Sequence, residues 1–269
     1  MSFEYKKSLG QNFLKDDNII NKIVNSIDVN KDDLIIEIGP GSGALTTKLV
    51  NKGCDVLCFE IDERLKKNLE KINSSNIKIV FNDFLKIKIG DYINKKYNRL
   101  FFVGNLPYYI TTAIINKIIK ESNPYEITIM IQKEVAERFM AKPSSKQYNS
   151  LSVFLQYNFD IIKICNVSKN CFEPVPKVDS MVIKLKNRNE KIKVKDESLF
   201  YKFIKDAFKQ KRKNLKNNLK NYDLDKIECV LNKKDKSLKS RAEELSVQDF
   251  VDIVNEIIPW EWNYYFAYK

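Results

Sequence analysis

Four consecutive residues, Asn105-Leu106-Pro107-Tyr108, carry the parts needed to hold a planar amino-base. They follow an apolar run, Leu100-Phe101-Phe102-Val103. A side-chain amide and a backbone carbonyl can each accept a hydrogen bond from an exocyclic amine. Proline stiffens the turn and offers no competing N–H, and a tyrosine ring can stack on a base. Upstream, Glu37-Ile38-Gly39-Pro40-Gly41-Ser42-Gly43 lies where a first strand should turn into a first helix. Its small residues, Gly39 and Gly41 among them, let the backbone approach a nucleotide-like cofactor closely. Together the two motifs point to transfer of a methyl group from a cofactor to a base amine.

Two acids complete the cofactor reading. Glu60 ends the next apolar run, 21 residues after Gly39, the spacing of a carboxylate that binds ribose hydroxyls in dinucleotide folds. Asp83, in Phe81-Asn82-Asp83-Phe84, could accept a hydrogen bond from an adenine amino group. A nicotinamide dinucleotide fits less well. The turn departs from G-x-G-x-x-G because residue 44 is Ala, and the Glu37 carboxylate would repel a pyrophosphate. A cationic sulfonium with an amino-acid tail suits the acidic surround better.

What the chain lacks narrows the chemistry. It contains no histidine, which removes Ser-His-Asp and Cys-His triads, His-ligated zinc and imidazole proton shuttles. Its five cysteines have no zinc-like spacing, so no metal is expected. Cys54 and Cys58 fall on one face of an apolar strand and read as small core residues, and Cys165 and Cys171 as candidates for burial. No apolar run approaches the ~20 residues of a membrane span, and no signal-peptide core follows the N-terminus. The expectation is a soluble, cytoplasmic protein acting as a monomer.

The elements that must position these residues follow from periodicity. Helical spacing of Ile19, Ile20, Ile23, Val24 and Ile27 predicts an amphipathic helix over 16–28, capped by Asp16 or Asp17. Strands are predicted at 34–36, 56–60, 77–81, 100–104 and 127–131, with helices at 44–51, 62–72 and 112–120 between them. This alternation implies a parallel, doubly wound α/β sheet of Rossmann-like type. A helix near 133–140, a loop at 143–146 and late strands at 159–167 and 180–185 follow. The late strands flank Phe172-Glu173-Pro174-Val175-Pro176, whose prolines keep it extended. From Ser198 the pattern is helical throughout, so a first domain of residues 1–187 precedes an all-helical one of 188–269.

The net charge is +12, and Lys184–Lys220 holds 14 basic and 4 acidic residues, 14 − 4 = +10. Such a run is either a solvated face or a surface for nucleic-acid phosphates. The end, Trp260-Glu261-Trp262-Asn263-Tyr264-Tyr265-Phe266, is strongly aromatic and is expected to pack on the helical domain.

An ordered set of segments carries a resemblance. They are Lys7-Ser8-Leu9-Gly10-Gln11-Asn12-Phe13-Leu14, the glycine turn, Asn105–Thr112, Phe172–Ser180, Lys211-Arg212-Lys213-Asn214-Leu215 and Arg241–Val247. In these the chain resembles the S-adenosylmethionine-dependent rRNA adenine-N6,N6-dimethyltransferases, most closely the KsgA/Dim1 branch. The aromatic tail after Pro259 lies outside the pattern. The resemblance implies that Asn12, Leu14, Gly39, Glu60, Asp83 and Asn105 contact the methyl donor. It implies two adjacent adenosines near the 3′ end of small-subunit rRNA as target, presented on a ribosomal particle. Tyr108 and Phe172 would then stack on the two faces of a flipped base, with Tyr109 in the pocket wall and Leu106 offering its carbonyl to the amine. Lys211, Arg212 and Lys213 would bind RNA. Three alternatives stay open on sequence: the large-subunit antibiotic-resistance branch, a non-catalytic nucleic-acid-binding relative, and a nicotinamide oxidoreductase.

Overall fold

The structure is a computed structural model and describes residues 11–107, 109–188 and 192–258. Tyr108, residues 7–10 and the aromatic tail therefore lie outside the described residues. The elements run β1 (Phe13–Leu14), α1 (Asp17–Ser26), β2 (Leu34–Ile38), α2 (Ala44–Leu49), β3 (Asp55–Glu60), α3 (Lys66–Leu69), β4 (Ile77–Phe81), β5 (Leu100–Asn105), α4 (Thr111–Glu121) and β6 (Glu126–Gln132). Then come α5 (Lys133–Phe139), α6 (Ser150–Asn158), β7 (Phe159–Val167), β8 (Phe172–Glu173), β9 (Ser180–Asn187), α7 (Glu197–Ala207), α8 (Leu215–Asn218), α9 (Leu224–Asn232) and α10 (Val247–Ile257).

Seven strands form one sheet in the order β4-β3-β2-β5-β6-β9-β7. The five from β4 to β6 are parallel, and β9 runs antiparallel to β6. The α/β reading holds, but the sheet is mixed, because the late strands return without a crossover helix between them. β2 is buried along its whole length, Glu37 included, which explains the apolar run Leu34-Ile35-Ile36. α1 turns Ile19, Ile20, Ile23 and Val24 inward, and the Asp16 carboxylate caps it by accepting from the N–H groups of Asn18 and Ile19.

The chain divides into two compact units, Met1–Ala136 with Asp160–Asn187, and Glu137–Phe159 with Arg188–Lys269. This differs from a cut at 187 in one segment. α6 carries Val153 and Tyr157 into the same core as Phe200 and Phe203 of α7 and Phe250 of α10. It was unreadable as a separate helix because its apolar residues surround it rather than marking one face. In the second unit Lys211, Arg212 and Lys213 are exposed on the turn between α7 and α8, with Lys211 Nζ donating to the Lys146 carbonyl (2.8 Å).

In the first unit a buried ion pair closes the end of the sheet where β2 and β5 begin. Arg99 meets Asp33 at 2.6 Å and lies over the Tyr125 ring at 4.7 Å. The opposite end, where the parallel strands finish, is left for a ligand. The order reverses there between β3 and β5 on either side of β2, the place where open α/β sheets form a crevice. Cys54 and Cys58 are buried as read, whereas Cys165 and Cys171 are only half-buried. Among the described residues no helix is long and apolar enough to cross a membrane, and no three His, Cys, Asp or Glu side chains are grouped to hold a metal.

Candidate active site

A cleft opens at the C-terminal ends of the parallel strands and encloses about 1170 Å³ including its mouth. It is lined by Asn12, Leu14, Gly39, Gly41, Glu60, Asp83, Asn105 and Pro107, so most of the candidates from sequence meet in one place.

The glycine turn is built by close approach. Gly39, Gly41 and Gly43 all take positive φ, and a Cβ at Gly41 would fall 2.7 Å from the Phe13 ring. Glu60 pins the turn to the next strand. Its carboxylate accepts from the N–H groups of Gly41 (3.0 Å), Ile61 (2.9 Å) and Asp62 (2.9 Å) and is 4% exposed. Asp83 forms an Asx turn, its Oδ1 accepting from the Leu85 N–H at 2.9 Å.

On the other side of β2, Asn105 ends β5. Its Nδ2 donates to the Asn12 carbonyl at 2.8 Å. The Pro107 carbonyl is already engaged, accepting from Ile110 N–H (3.2 Å) and Thr111 Oγ1 (3.1 Å). Leu106 is buried and is absent from the cleft lining.

Two candidates lie outside the cleft lining. Phe172 is 3% exposed and lines no part of the cleft. Its strand β8 pairs antiparallel with β1, opposite Leu14, and the ring packs in the core with Val182 and Ile20. In this arrangement it supports the N-terminal segment. Tyr109 is 67% exposed and does not belong to the cleft wall.

Several residues escaped the sequence reading. Ile61 is 53% exposed and lines the cleft, an apolar surface directly after the Glu60 acid. Gly104 is obligatory, because a Cβ there would sit 2.5 Å from the Ile38 carbonyl oxygen. A glycine inside a strand was the available signal. Asp62 accepts from Gln11 Nε2 (2.7 Å) and Arg64 Nη2 (2.6 Å), and the Arg64 bond holds its carboxyl down to about 2.

Charge gives the cleft its preference. Glu37 is fully buried at its floor, and burial pushes its carboxyl up to about 7, with the nearby Glu60 charge adding to the rise. The Cys58 thiol donates to Glu37 at 3.6 Å and relieves this only in part. Burial also raises Glu60, against the pull of its three N–H donors. Two desolvated carboxylates favour a cationic ligand and disfavour a pyrophosphate. The donor set therefore fits a sulfonium nucleoside bearing an ammonium group.

Fold and cleft together define a Rossmann-like methyltransferase. The family model described as ribosomal RNA adenine dimethylase matches residues 2–259. A ribosomal RNA small subunit methyltransferase A of Clostridium acetobutylicum is 40% identical over 95% of each chain. That of Mycoplasma mobile is 44% identical over 96% of this chain and all of its own. Among solved structures, a dimethyladenosine transferase from Plasmodium falciparum superposes with a TM-score of 0.75 at 25% identity, over 89% of this chain and 95% of that one. The 23S rRNA methyltransferase ErmE has the same TM-score and identity, over 92% and 100%. The chain belongs to the ribosomal RNA adenine dimethylase family. Shape does not separate the two branches, but the curated relatives favour the small-subunit reading over the large-subunit alternative.

The Glu37 assignment has a consequence without any ligand. A carboxyl raised from 4.5 unfolded to about 7 folded contributes stability that is full below about 4.5 and is lost as pH rises through 7. Glu37→Gln should flatten this loss and leave the variant about 1–3 kcal/mol more stable than the parent at pH 8. Urea unfolding of both proteins from pH 5 to 8 checks it, and parallel curves would refute the assignment.

Proposed function

We propose that this chain transfers methyl groups from S-adenosylmethionine to N6 of two adjacent adenosines near the 3′ end of small-subunit rRNA, on a ribosomal particle in the cytoplasm. The observation carrying the reading is that Asn105, the glycine turn and two buried carboxylates line one cleft. When bound, the donor supplies an electrophilic methyl group, so the protein need only bind, orient and exclude water. Glu37 and Glu60 hold positive charge. Asp83 keeps a carboxylate oxygen for an adenine amino group, and Ile61 offers an apolar face to its ring.

An adenine amine is a poor nucleophile because its lone pair is delocalised into the ring. Asn105 Oδ1 and the Leu106 carbonyl each accept one N–H of the amine, favouring a pyramidal nitrogen whose lone pair points along the line of attack. Pro107 fixes the loop between them. Tyr108 remains our candidate for stacking on the base, a contact worth roughly 1–3 kcal/mol. The attacked nitrogen becomes cationic and loses its proton readily, so the chemistry runs without a histidine. We further propose that the chain acts as a monomer, and that Lys211, Arg212 and Lys213 contact rRNA phosphates.

Two measurements test this. Asn105→Ala should lower methyl transfer to purified small subunits by at least about 100-fold with an unchanged unfolding curve. Near-normal turnover would contradict the role. Reversing charge at Lys211, Arg212 and Lys213 should weaken particle binding and reduce the slope of log affinity against log salt by about 2. An unchanged slope would mean that this turn is only a solvated surface.

A further inference from the structure

Residues 11 and 12 are neighbours in the chain yet bond to opposite sides of the cleft. Gln11 Nε2 donates to Asp62 Oδ2 at 2.7 Å, just past the end of β3. The Asn12 carbonyl accepts from Asn105 Nδ2 at 2.8 Å, at the end of β5. β3 and β5 flank β2 on its two sides, so one peptide unit links the β3 side of the sheet to the Asn105 amide on the β5 side.

The anchor under Gln11 is firm. Asp62 is buried, and Arg64 grips its carboxylate from Nε (2.9 Å) and Nη2 (2.6 Å). Beyond Asn12 the segment is held by β1–β8 pairing, by the Lys15 N–H on the Cys171 carbonyl (2.9 Å) and by a Lys15–Glu173 ion pair. The Asn12 carbonyl is thus fixed from both directions.

Its position matters because an amide side chain has two opposite ends. A carbonyl can accept only from the NH₂ end, so the bond to Asn12 leaves Oδ1 as the end Asn105 can turn to an amine. Were that bond lost, the amide could rotate and present a donor to a donor.

We propose that Gln11 is a positioning residue for methyl transfer: anchored on Asp62, it holds the Asn12 carbonyl where that group sets the Asn105 amide with Oδ1 toward the reacting nitrogen. This rests on the role proposed above for Asn105. Gln11 and Arg64 do their work through other residues, not by touching the reacting atoms.

The test reads the Asn105 amide directly in the full chain, without the reaction. Its side-chain NH₂ signals in a ¹⁵N-correlated spectrum are assigned by their loss in Asn105→Asp. In Gln11→Ala and in the near-isosteric Gln11→Met, solvent exchange of these protons should quicken at least about tenfold. The kcat on small subunits should fall about 10- to 100-fold while KM for the subunit stays within about threefold. Arg64→Ala, which leaves Gln11 in place but loosens Asp62, should move both readouts the same way to a smaller extent. Unchanged amide exchange in the Gln11 variants would overturn the proposal, whatever happens to kcat. Faster exchange together with an active Asn105→Ala enzyme would instead leave the linkage standing and defeat the catalytic role of Asn105.

Discussion

A carboxylate bonded to three backbone N–H groups in a dry setting is the constraint around which the site is arranged. Glu60 takes Gly41, Ile61 and Asp62 at once, and so joins the glycine turn after β2 to the end of β3. Neither loop has regular structure of its own to hold it. The turn needs positive φ at three glycines, which gives a chain much freedom to lose. The same bonds keep a charge under the cleft that water would otherwise screen. Binding geometry and electrostatic preference therefore come from one side chain.

The second carboxylate sharpens that preference. Burial disfavours the charged form of Glu37 in the protein alone. A cation entering the cleft relieves both acids, whereas a phosphate would meet them unrelieved. That preference favours the sulfonium cofactor proposed above over a dinucleotide, although both use glycine turns and a strand-ending acid. The cost of holding two acids in a dry cleft falls on stability and is returned as affinity for positive charge.

The parallel strands are legible in sequence because each is a short apolar run closed by a turn residue, and α1 because Ile19, Ile20, Ile23 and Val24 share a face. The meeting of Gly39, Glu60, Asp83 and Asn105 follows, since each ends or follows a strand of one sheet. What the sequence hides has physical reasons too. β1 and β8 are two residues each, too short for any periodicity, so the contact of Leu14 with Phe172 could not be foreseen. Phe172 reads as a stacking ring beside prolines, and its burial in the core shows only once β8 is paired with β1. Gln11, Asp62 and Arg64 look like ordinary polar residues until folding closes 51 residues between the first two.

The proposed chemistry requires that Asn105 and the methyl donor share one cleft, with the amide oxygen turned to the substrate amine. A crystal structure with a bisubstrate compound, an adenosine joined through N6 to the donor's amino-acid tail, tests this most directly. N6 should lie about 3 Å from Asn105 Oδ1, with Asn105 Nδ2 still on the Asn12 carbonyl and the tail beside the glycine turn. A ligand bound outside the cleft, or an Asn105 amide turned away from N6, would contradict it.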